Sequence, residues 1–303
     1  MPDIDQTVTV RRSELVCPAH YLKMMSKAAS SEADEVIFDL EDGCAPSQKV
    51  AARKILIEAF RTLDFQGKIR AFRANGIHTK FFYRDVIDVV EGAGTGIDVL
   101  VVPKVHDAAD LLFADRLLTQ IEQNMGWRVG GIKLEAMIES ARGVLHAEEI
   151  TAASPRLAAL IFGVVDYAGN IGAREPVTEQ FALYHYPKAK TVAAARASGV
   201  DVIDSITLQI HDLDLCENDA RSAARMGFDG KWAIHPDQVA VINRAFTPSS
   251  EELTRAREIV VAYQESDREC GAGAFVYKNE MVDAASLPIE LKKLAIAKKC
   301  GLI

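Results

Sequence analysis

The chain has 303 residues, 49% of them apolar, and a formal net charge of −8. That length can bury a substantial core in one large domain or two modest ones. The acidic balance excludes an extended nucleic-acid-binding face, which needs clustered Lys and Arg, yet leaves room for a small anionic substrate held by a few local cations.

The opening Met1–Val10 carries no basic region followed by an apolar run, so no secretory signal is expected there. No run approaches the ~18 apolar residues that a transmembrane helix needs. Short β-rich runs then predict strands at Glu14–Pro18, Glu35–Glu41, Lys68–Ala74, Val99–Val105, Gly131–Ile138, Leu157–Gly163, Val200–Ile206 and Gly230–His235. Their consecutive Val, Ile, Leu and Phe suit parallel strands buried on both faces. Amphipathic stretches such as Pro46–Leu63, Ala108–Met125 and Tyr186–Ser198 lie between them. Eight such units in about 240 residues is the arithmetic of a closed (β/α)8 TIM barrel, an α/β fold. A doubly wound open sheet would show fewer strands and a glycine-rich first turn.

After Phe246 the pattern changes. A helix of mixed charge at Ser249–Arg268 leads through Gly271 and Gly273, a predicted hinge, to a final helix at Pro288–Lys299. The expected division is a catalytic barrel at 1–246 and a C-terminal helical lid or packing arm at 247–303. Five cysteines (Cys17, Cys44, Cys216, Cys270, Cys300) form no C-x-x-C pair, which predicts free thiols and a cytoplasmic chain.

Charged residues recur where the predicted strands end. Glu41 and Asp42 follow the second, Arg73 the third, Lys104 the fourth, Glu139 the fifth and Asp166 the sixth, with Asp204 and His235 near the last two. In a barrel these carboxyl ends converge on the face that carries the chemistry. Adjacent strands lie about 4.8 Å apart, so Glu139 and Asp166 can share one ion. Two carboxylates, with the remaining positions left to water and substrate, is a common way of holding Mg²⁺. The alternative is that each caps a helix or pairs with a local base. Arg73 suits a carboxylate or a developing enolate oxygen, because its guanidinium is planar and always charged. It also suits a salt bridge to Glu41 or Asp42, which would then orient it.

Other patterns point nowhere. Gly92-Ala-Gly94-Thr-Gly96 precedes a strand rather than opening a helix, so it is not a phosphate cradle. His20, His78, His106, His185 and His211 show no metal-ligand spacing and read as surface or capping residues. Lys292, Lys293, Lys298 and Lys299 read as a solvated helix face.

Seven segments occur in order: Arg12-Ser-Glu-Leu-Val-Cys-Pro18, Phe38-Asp-Leu-Glu-Asp42, Arg73-Ala-Asn-Gly76, Pro103-Lys-Val105, Ile138-Glu-Ser-Ala-Arg-Gly143, Phe162-Gly-Val-Val-Asp-Tyr167 and Gly230-Lys-Trp-Ala-Ile-His-Pro236. The series resembles the citrate lyase β-subunit/malyl-CoA lyase family of the HpcH/HpaI aldolase superfamily, nearest to its malyl-CoA and citramalyl-CoA lyases. The resemblance implies a Mg²⁺ enzyme, with Mn²⁺ as substitute. Its reaction would be reversible cleavage of a 3-hydroxyacyl-CoA (malyl-, methylmalyl- or citramalyl-CoA type) to an acyl-CoA and an α-oxo acid, glyoxylate or pyruvate. It implies Glu139 and Asp166 as metal ligands, Arg73 as a substrate contact, and the backbone around Val165 and Asp166 at the oxo-acid carboxylate. Val16, Tyr21, Lys27, Ile234 and His235 would lie along the coenzyme A or acyl portion. Glu280-Met-Val-Asp283 matches the segment whose Asp acts as acid/base from a neighbouring subunit, so a homo-oligomer (trimer or hexamer) exchanging its lids is implied, with neither nucleic acid nor membrane as partner. Departures occur at Cys17-Pro-Ala-His20, at Phe72 and Ala74 beside Arg73, at Asp204-Ser-Ile206, and in a short segment after Asp166. Three rivals remain: a citrate lyase β-subunit acting on a carrier-bound thioester, a class II pyruvate aldolase, and a non-catalytic coenzyme A-binding barrel.

Overall fold

The computed structural model describes residues 9–174, 180–270 and 274–303. Eight parallel strands close into a barrel in chain order: β1 (Ser13–Pro18), β2 (Glu35–Asp39), β3 (Ile69–Arg73), β4 (Val99–Val102), β5 (Lys133–Ile138), β6 (Leu157–Phe162), β7 (Asp201–Asp204) and β8 (Gly230–Ala233). Glu14 pairs in register with Glu35 on one side and Trp232 on the other, which closes the ring.

β1 and β5 end where their apolar runs predict; the other six strands stop one to three residues earlier, and local chemistry explains where. Asp39 accepts hydrogen bonds from the backbone N–H groups of Glu41 (2.8 Å) and Gly43 (2.7 Å), folding the chain away after β2. Pro103 has no N–H to give a ladder, and Lys104 is left-handed (φ 53°), so β4 ends at Val102. After β8 the Ile234 N–H donates to the Gln238 side chain at 3.0 Å instead of to a strand.

Alternate residues of each strand face inward. Ile37, Ala71, Val99, Val101, Met137, Ala159, Ile161, Ile203 and Trp232 form the apolar middle of the barrel. The intervening residues face the helices. Phe38 of β2 meets Phe60 of the helix Lys49–Thr62 with ring centroids 5.3 Å apart, and each buried aromatic contributes roughly 2–3 kcal/mol. Helix caps fix where the outer layer begins and ends. Asp107 accepts from the Ala109 N–H (3.0 Å) to start Ala108–Asn124, and left-handed Gly227 (φ 109°) terminates Leu213–Met226.

Below the apolar layer the floor is charged. Glu14, Glu35 and Glu135 are fully buried, with Arg11 Nε 3.2 Å from Glu35 and 3.1 Å from Glu135. Arg11 Nη1 reaches Asp201 at 2.7 Å, and the Trp232 indole donates to Glu14. Burial, reinforced by the crowding of like charges, pushes Glu14 and Glu35 well above the carboxylate range. Burial also pushes Glu135 up to about 6, against the pull of Arg11.

Residues Arg244–Ile303 belong to a second compact unit. Helices Ser250–Cys270 and Leu287–Lys299 pack through Leu253, Ala256, Val260, Leu294 and Ala297. Between them runs a hairpin absent from the sequence-based expectation, β9 (Ala274–Tyr277) and β10 (Glu280–Asp283). Its two-residue turn, Lys278-Asn279, has positive φ at both positions (42° and 73°), as the right-handed twist of a hairpin favours. The predicted glycine hinge at 271–273 lies outside the described residues. Among the described residues, no helix is long and apolar enough to cross a membrane.

Candidate active site

Strand register brings Asp39 beside Arg73 at the carboxyl end of the barrel. Arg73 Nε and Nη2 donate to the two Asp39 oxygens at 2.8 and 2.7 Å, a bidentate pair buried on both sides. Its Nη1 lies 3.0 Å from Glu41 Oε2, and the guanidinium sits over the Trp232 ring at 5.3 Å. Burial raises the Asp39 carboxyl, but the Arg73 charge outweighs it and holds Asp39 below its ordinary value. The arginine is therefore a fixed cation. The sequence-based expectation gave that anchoring to Glu41 or Asp42; Glu41 shares it, while Asp42 instead stands 3.7 Å from Lys104 Nζ.

Glu139 follows β5 and is 2% exposed. Its Oε1 accepts the Lys104 backbone N–H at 2.7 Å. Burial, then the Glu41 and Asp166 charges, pushes its carboxyl up to about 8, with Arg73 opposing. Gly163 allows this placement, since a Cβ there would stand 2.5 Å from Glu139 Oε2 and 2.6 Å from its Cβ. Asp166 lies in the first turn of the helix Val164–Asn170. Lys104 Nζ spans the carboxylates, 2.9 Å from Glu41 and 3.6 Å from Asp166. Three carboxylates with one half-exposed ammonium and one committed guanidinium leave a surplus of negative charge at an opening. All the donors are hard oxygens, so the set fits a Mg²⁺-like cation.

These groups open into a cavity of about 330 Å³. Its apolar wall includes Val16, Met137, Phe162, Val164, Ile206, Trp232 and Ile234, and its polar wall Asp39, Asp42, Arg73, Glu139, Asp166 and Ser205. Cys17 also lines it; burial, aided by the Asp39 charge, pushes that thiol up to about 12, so it is no nucleophile at neutral pH.

Of the sequence-predicted residues, Val16, Arg73, Val165, Asp166, Ile234, Glu139 and Asp42 line the cavity, and Glu41 is buried against Arg73. Tyr21 (54% exposed), Lys27 and His235 do not line it. Lys27 sits in the last turn of the helix Leu22–Ala29, and His235 Nδ1 accepts the Asp237 N–H at 3.3 Å. Asp283 ends β10 in the second unit, where its Oδ1 accepts from the Ala285 N–H (2.9 Å) and the Ser286 hydroxyl (3.1 Å). Asp204, expected at the mouth, is instead fully buried between Lys188 and Lys231, the latter donating at 3.0 Å. Burial would raise Asp204, but the two ammoniums outweigh it. The same lysine donates to the Ser205 carbonyl (2.6 Å), and Ser205 Oγ accepts the Val164 N–H (2.9 Å), so the triad braces the loops lining the cavity. Asp39 and Lys104 had no assigned role in the sequence. The pairing of Asp39 with Arg73 follows once the β2–β3 register is fixed.

A sequence model of the HpcH/HpaI aldolase/citrate lyase family matches residues 12–236. The chain is 40% identical over 291 residues to the L-malyl-CoA/beta-methylmalyl-CoA lyase of Cereibacter sphaeroides, covering 91% of each. It is 30% identical over 289 residues to the citrate lyase subunit beta of Leuconostoc mesenteroides subsp. cremoris, covering 95% of this chain and 93% of that one. Among solved structures it is similar to protein CitE from Mycobacterium tuberculosis in complex with magnesium, acetoacetate and coenzyme A, with TM-score 0.79 and 29% identity over 97% of this chain and 99% of that one.

Proposed function

The chain belongs to the HpcH/HpaI aldolase/citrate lyase family, and from that premise we propose that it is a Mg²⁺-dependent carbon–carbon lyase of the malyl-CoA lyase type. Its substrate is a 3-hydroxyacyl-CoA, which it splits reversibly into an acyl-CoA and glyoxylate or pyruvate. The observation that carries this reading is the buried Glu139 carboxyl, crowded by Glu41 and Asp166 beside an apolar cavity that contains Arg73. Glu139 and Asp166 would hold the ion. When bound, it supplies positive charge for the oxygens of the oxo acid.

The chain's own groups account for the remaining requirements. Cleavage takes the proton from the hydroxyl, whose oxygen becomes the oxo acid's carbonyl, and breaks the C–C bond between that carbon and the carbon next to the thioester, sending the electron pair into a thioester enolate. The proton lost from oxygen balances the one the enolate carbon then takes up. Arg73, fixed by Asp39 and needing no rearrangement, stabilises the charge that develops there. The cavity's apolar wall keeps water away, which strengthens that interaction. Asp283 is the acid that protonates the enolate carbon, or the base that removes the proton in condensation, contributed by a second copy of the chain. In this assignment residues 1–246 carry the chemistry, 247–303 act as the lid, and Val16, Tyr21, Lys27, Val165, Ile234 and His235 contact the coenzyme A ester and the oxo acid.

The test is release of oxo acid from malyl-CoA or citramalyl-CoA in the presence of Mg²⁺, trapped as its phenylhydrazone. Product should vanish with EDTA and in Glu139→Ala. The likeness to a citrate lyase β-subunit supports a second reading, a carrier-bound thioester as substrate. Inert free coenzyme A esters, with turnover of the same acyl group on a carrier protein, would select it. Free thiol appearing without oxo acid would sink both readings in favour of thioester hydrolysis.

A further inference from the structure

Outside this site, two loops at the carboxyl end of the barrel bring together residues that are distant in sequence. His78 lies between β3 and the helix Phe82–Ala93, and His106 between β4 and the helix Ala108–Asn124, whose first turn contains Asp110. One ligand atom from each of the three lies within 4.8 Å of the other two. The imidazoles stack with centroids 5.2 Å apart and planes 17° apart. Asp110 is 8% exposed; its Oδ2 accepts the His106 backbone N–H at 2.8 Å, which leaves Oδ1 facing His78 Nε2 at 3.5 Å.

We propose that His78, His106 and Asp110 form a second cation site, for a borderline transition metal such as Zn²⁺, separate from the oxygen-only Mg²⁺ site. Two imidazole nitrogens and one carboxylate oxygen are the donors such ions prefer, whereas Mg²⁺ favours oxygen alone. Tetrahedral ligands at about 2.1 Å from an ion stand roughly 3.4 Å from one another. The Asp110–His78 pair is already at that separation, and His78, whose side chain is 60% exposed, is free to rotate and close the rest. The Asp110 backbone hydrogen bond holds the carboxylate in place, as outer partners of metal ligands commonly do. Asp107, the nearest other acid in sequence, is committed to Arg142 at 2.7 Å. Three protein ligands leave a fourth position open for water or a small anion.

The site would tie the β3–α loop to the helix Ala108–Asn124. That loop also contains Gly76, where a Cβ would stand 3.8 Å from Glu41 Oε1 and 3.9 Å from Lys104 Cδ. An ion on the histidines therefore acts on the segment packed against the carboxylates of the first site.

The experiment titrates the full-length chain with Co²⁺ under excess Mg²⁺, reading visible absorption, with Zn²⁺ then added in competition. A Cys300→Ser background removes the one half-buried thiol among the described cysteines, and a Glu139→Ala background removes the first site. One equivalent should bind in both backgrounds, with no sulfur charge-transfer band. His78→Ala and His106→Ala should each weaken it at least about tenfold; the exposure of His78 makes its variant safe for folding. An unchanged equivalent in either histidine variant, its loss with Cys300 or Glu139, or no binding at all would each overturn the proposal.

Discussion

Gly163→Ala adds a single methyl group where the catalytic reading is most exposed to refutation. The backbone there has φ −100° and ψ 91°, an extended conformation that alanine adopts without strain, so the effect should be steric. The new Cβ would lie 2.5 Å from Glu139 Oε2 and 2.6 Å from its Cβ, against the 3.5–4.0 Å of ordinary contact, so one side must yield by about 1 Å. Glu139 is held by the Lys104 N–H and cannot yield without leaving its place beside Asp166. Displacement of a reacting group by about 1 Å costs roughly a hundredfold in rate, whereas overpacking costs only about 1–3 kcal/mol of stability. Two assays separate these effects: Mn²⁺ affinity by electron paramagnetic resonance, and kcat/KM with malyl-CoA. Gly169→Ala is the control. It is helical with nothing within 4 Å of its added Cβ, and should be neutral or stabilising by about 0.5–1 kcal/mol. If Gly163→Ala keeps both metal affinity and turnover within about twofold of wild type, Glu139 is not the metal ligand.

Asp39→Asn should strip the buried Arg73 of its bidentate partner and leave Glu41 as its near counter-charge, costing up to about 3 kcal/mol in urea unfolding and lowering kcat more than KM changes; wild-type stability and turnover would refute the anchoring role. Asp204→Asn strands Lys188 and Lys231 in the interior, with an expected loss of about 3–5 kcal/mol. A melting temperature unchanged to pH 9 would contradict it. For Glu135 the folded value of about 6 lies above the ordinary 4.5. Its contribution to stability is present in full below pH 4.5 and lost as pH rises through 6, about 2 kcal/mol in all. Subtracting the Glu135→Gln unfolding curve should expose that fall between pH 4.5 and 7, and a pH-independent difference would exclude it.

Local pattern was enough for some features and not for others. Runs such as Val99–Val102 and Leu157–Phe162 announce buried parallel strands from their composition alone, and a charged residue at or beyond the end of several runs marks the face where the cavity opens. Arg73, Glu139 and Asp166 were legible for that reason. Partners that depend on register or on distant helices were not. Lys188 sits in a helix of mixed polarity and reads as a surface lysine, yet it is fully buried against Asp204 from a strand 16 residues on. His78 and His106 are 28 positions apart, a spacing without meaning until β3 and β4 are neighbours. The β9–β10 hairpin escaped notice because Val276 and Met281 are exposed, so no alternation of buried and polar residues announces its strands.

The two ends of the barrel follow one rule with opposite outcomes. Inward positions repeat every second residue, so β2 carries Glu35, Ile37 and Asp39, and β5 with its extension carries Glu135, Met137 and Glu139. Each end thus gathers several carboxylates and one arginine, Arg11 below and Arg73 above, with an apolar layer between. At the floor Glu14, Glu35 and Glu135 are fully buried, and several of their oxygens have no hydrogen-bond donor. A small ion would have to shed its water there beside Arg11, so the surplus charge is relieved by protons, as the raised carboxyl values express. At the mouth Asp166 lines an open cavity, and Lys104 covers only part of the charge. An ion can arrive there with several waters still attached, which is how Mg²⁺ binds. The closed floor and the open mouth therefore suit different partners, protons at the one and a cation that keeps some of its water at the other. Exchanging an interior residue at the floor should alter stability against pH without touching metal affinity, whereas Glu139→Gln should lower metal affinity and, because the Glu139 carboxyl is itself raised to about 8, also change the pH dependence of the metal-free protein's stability.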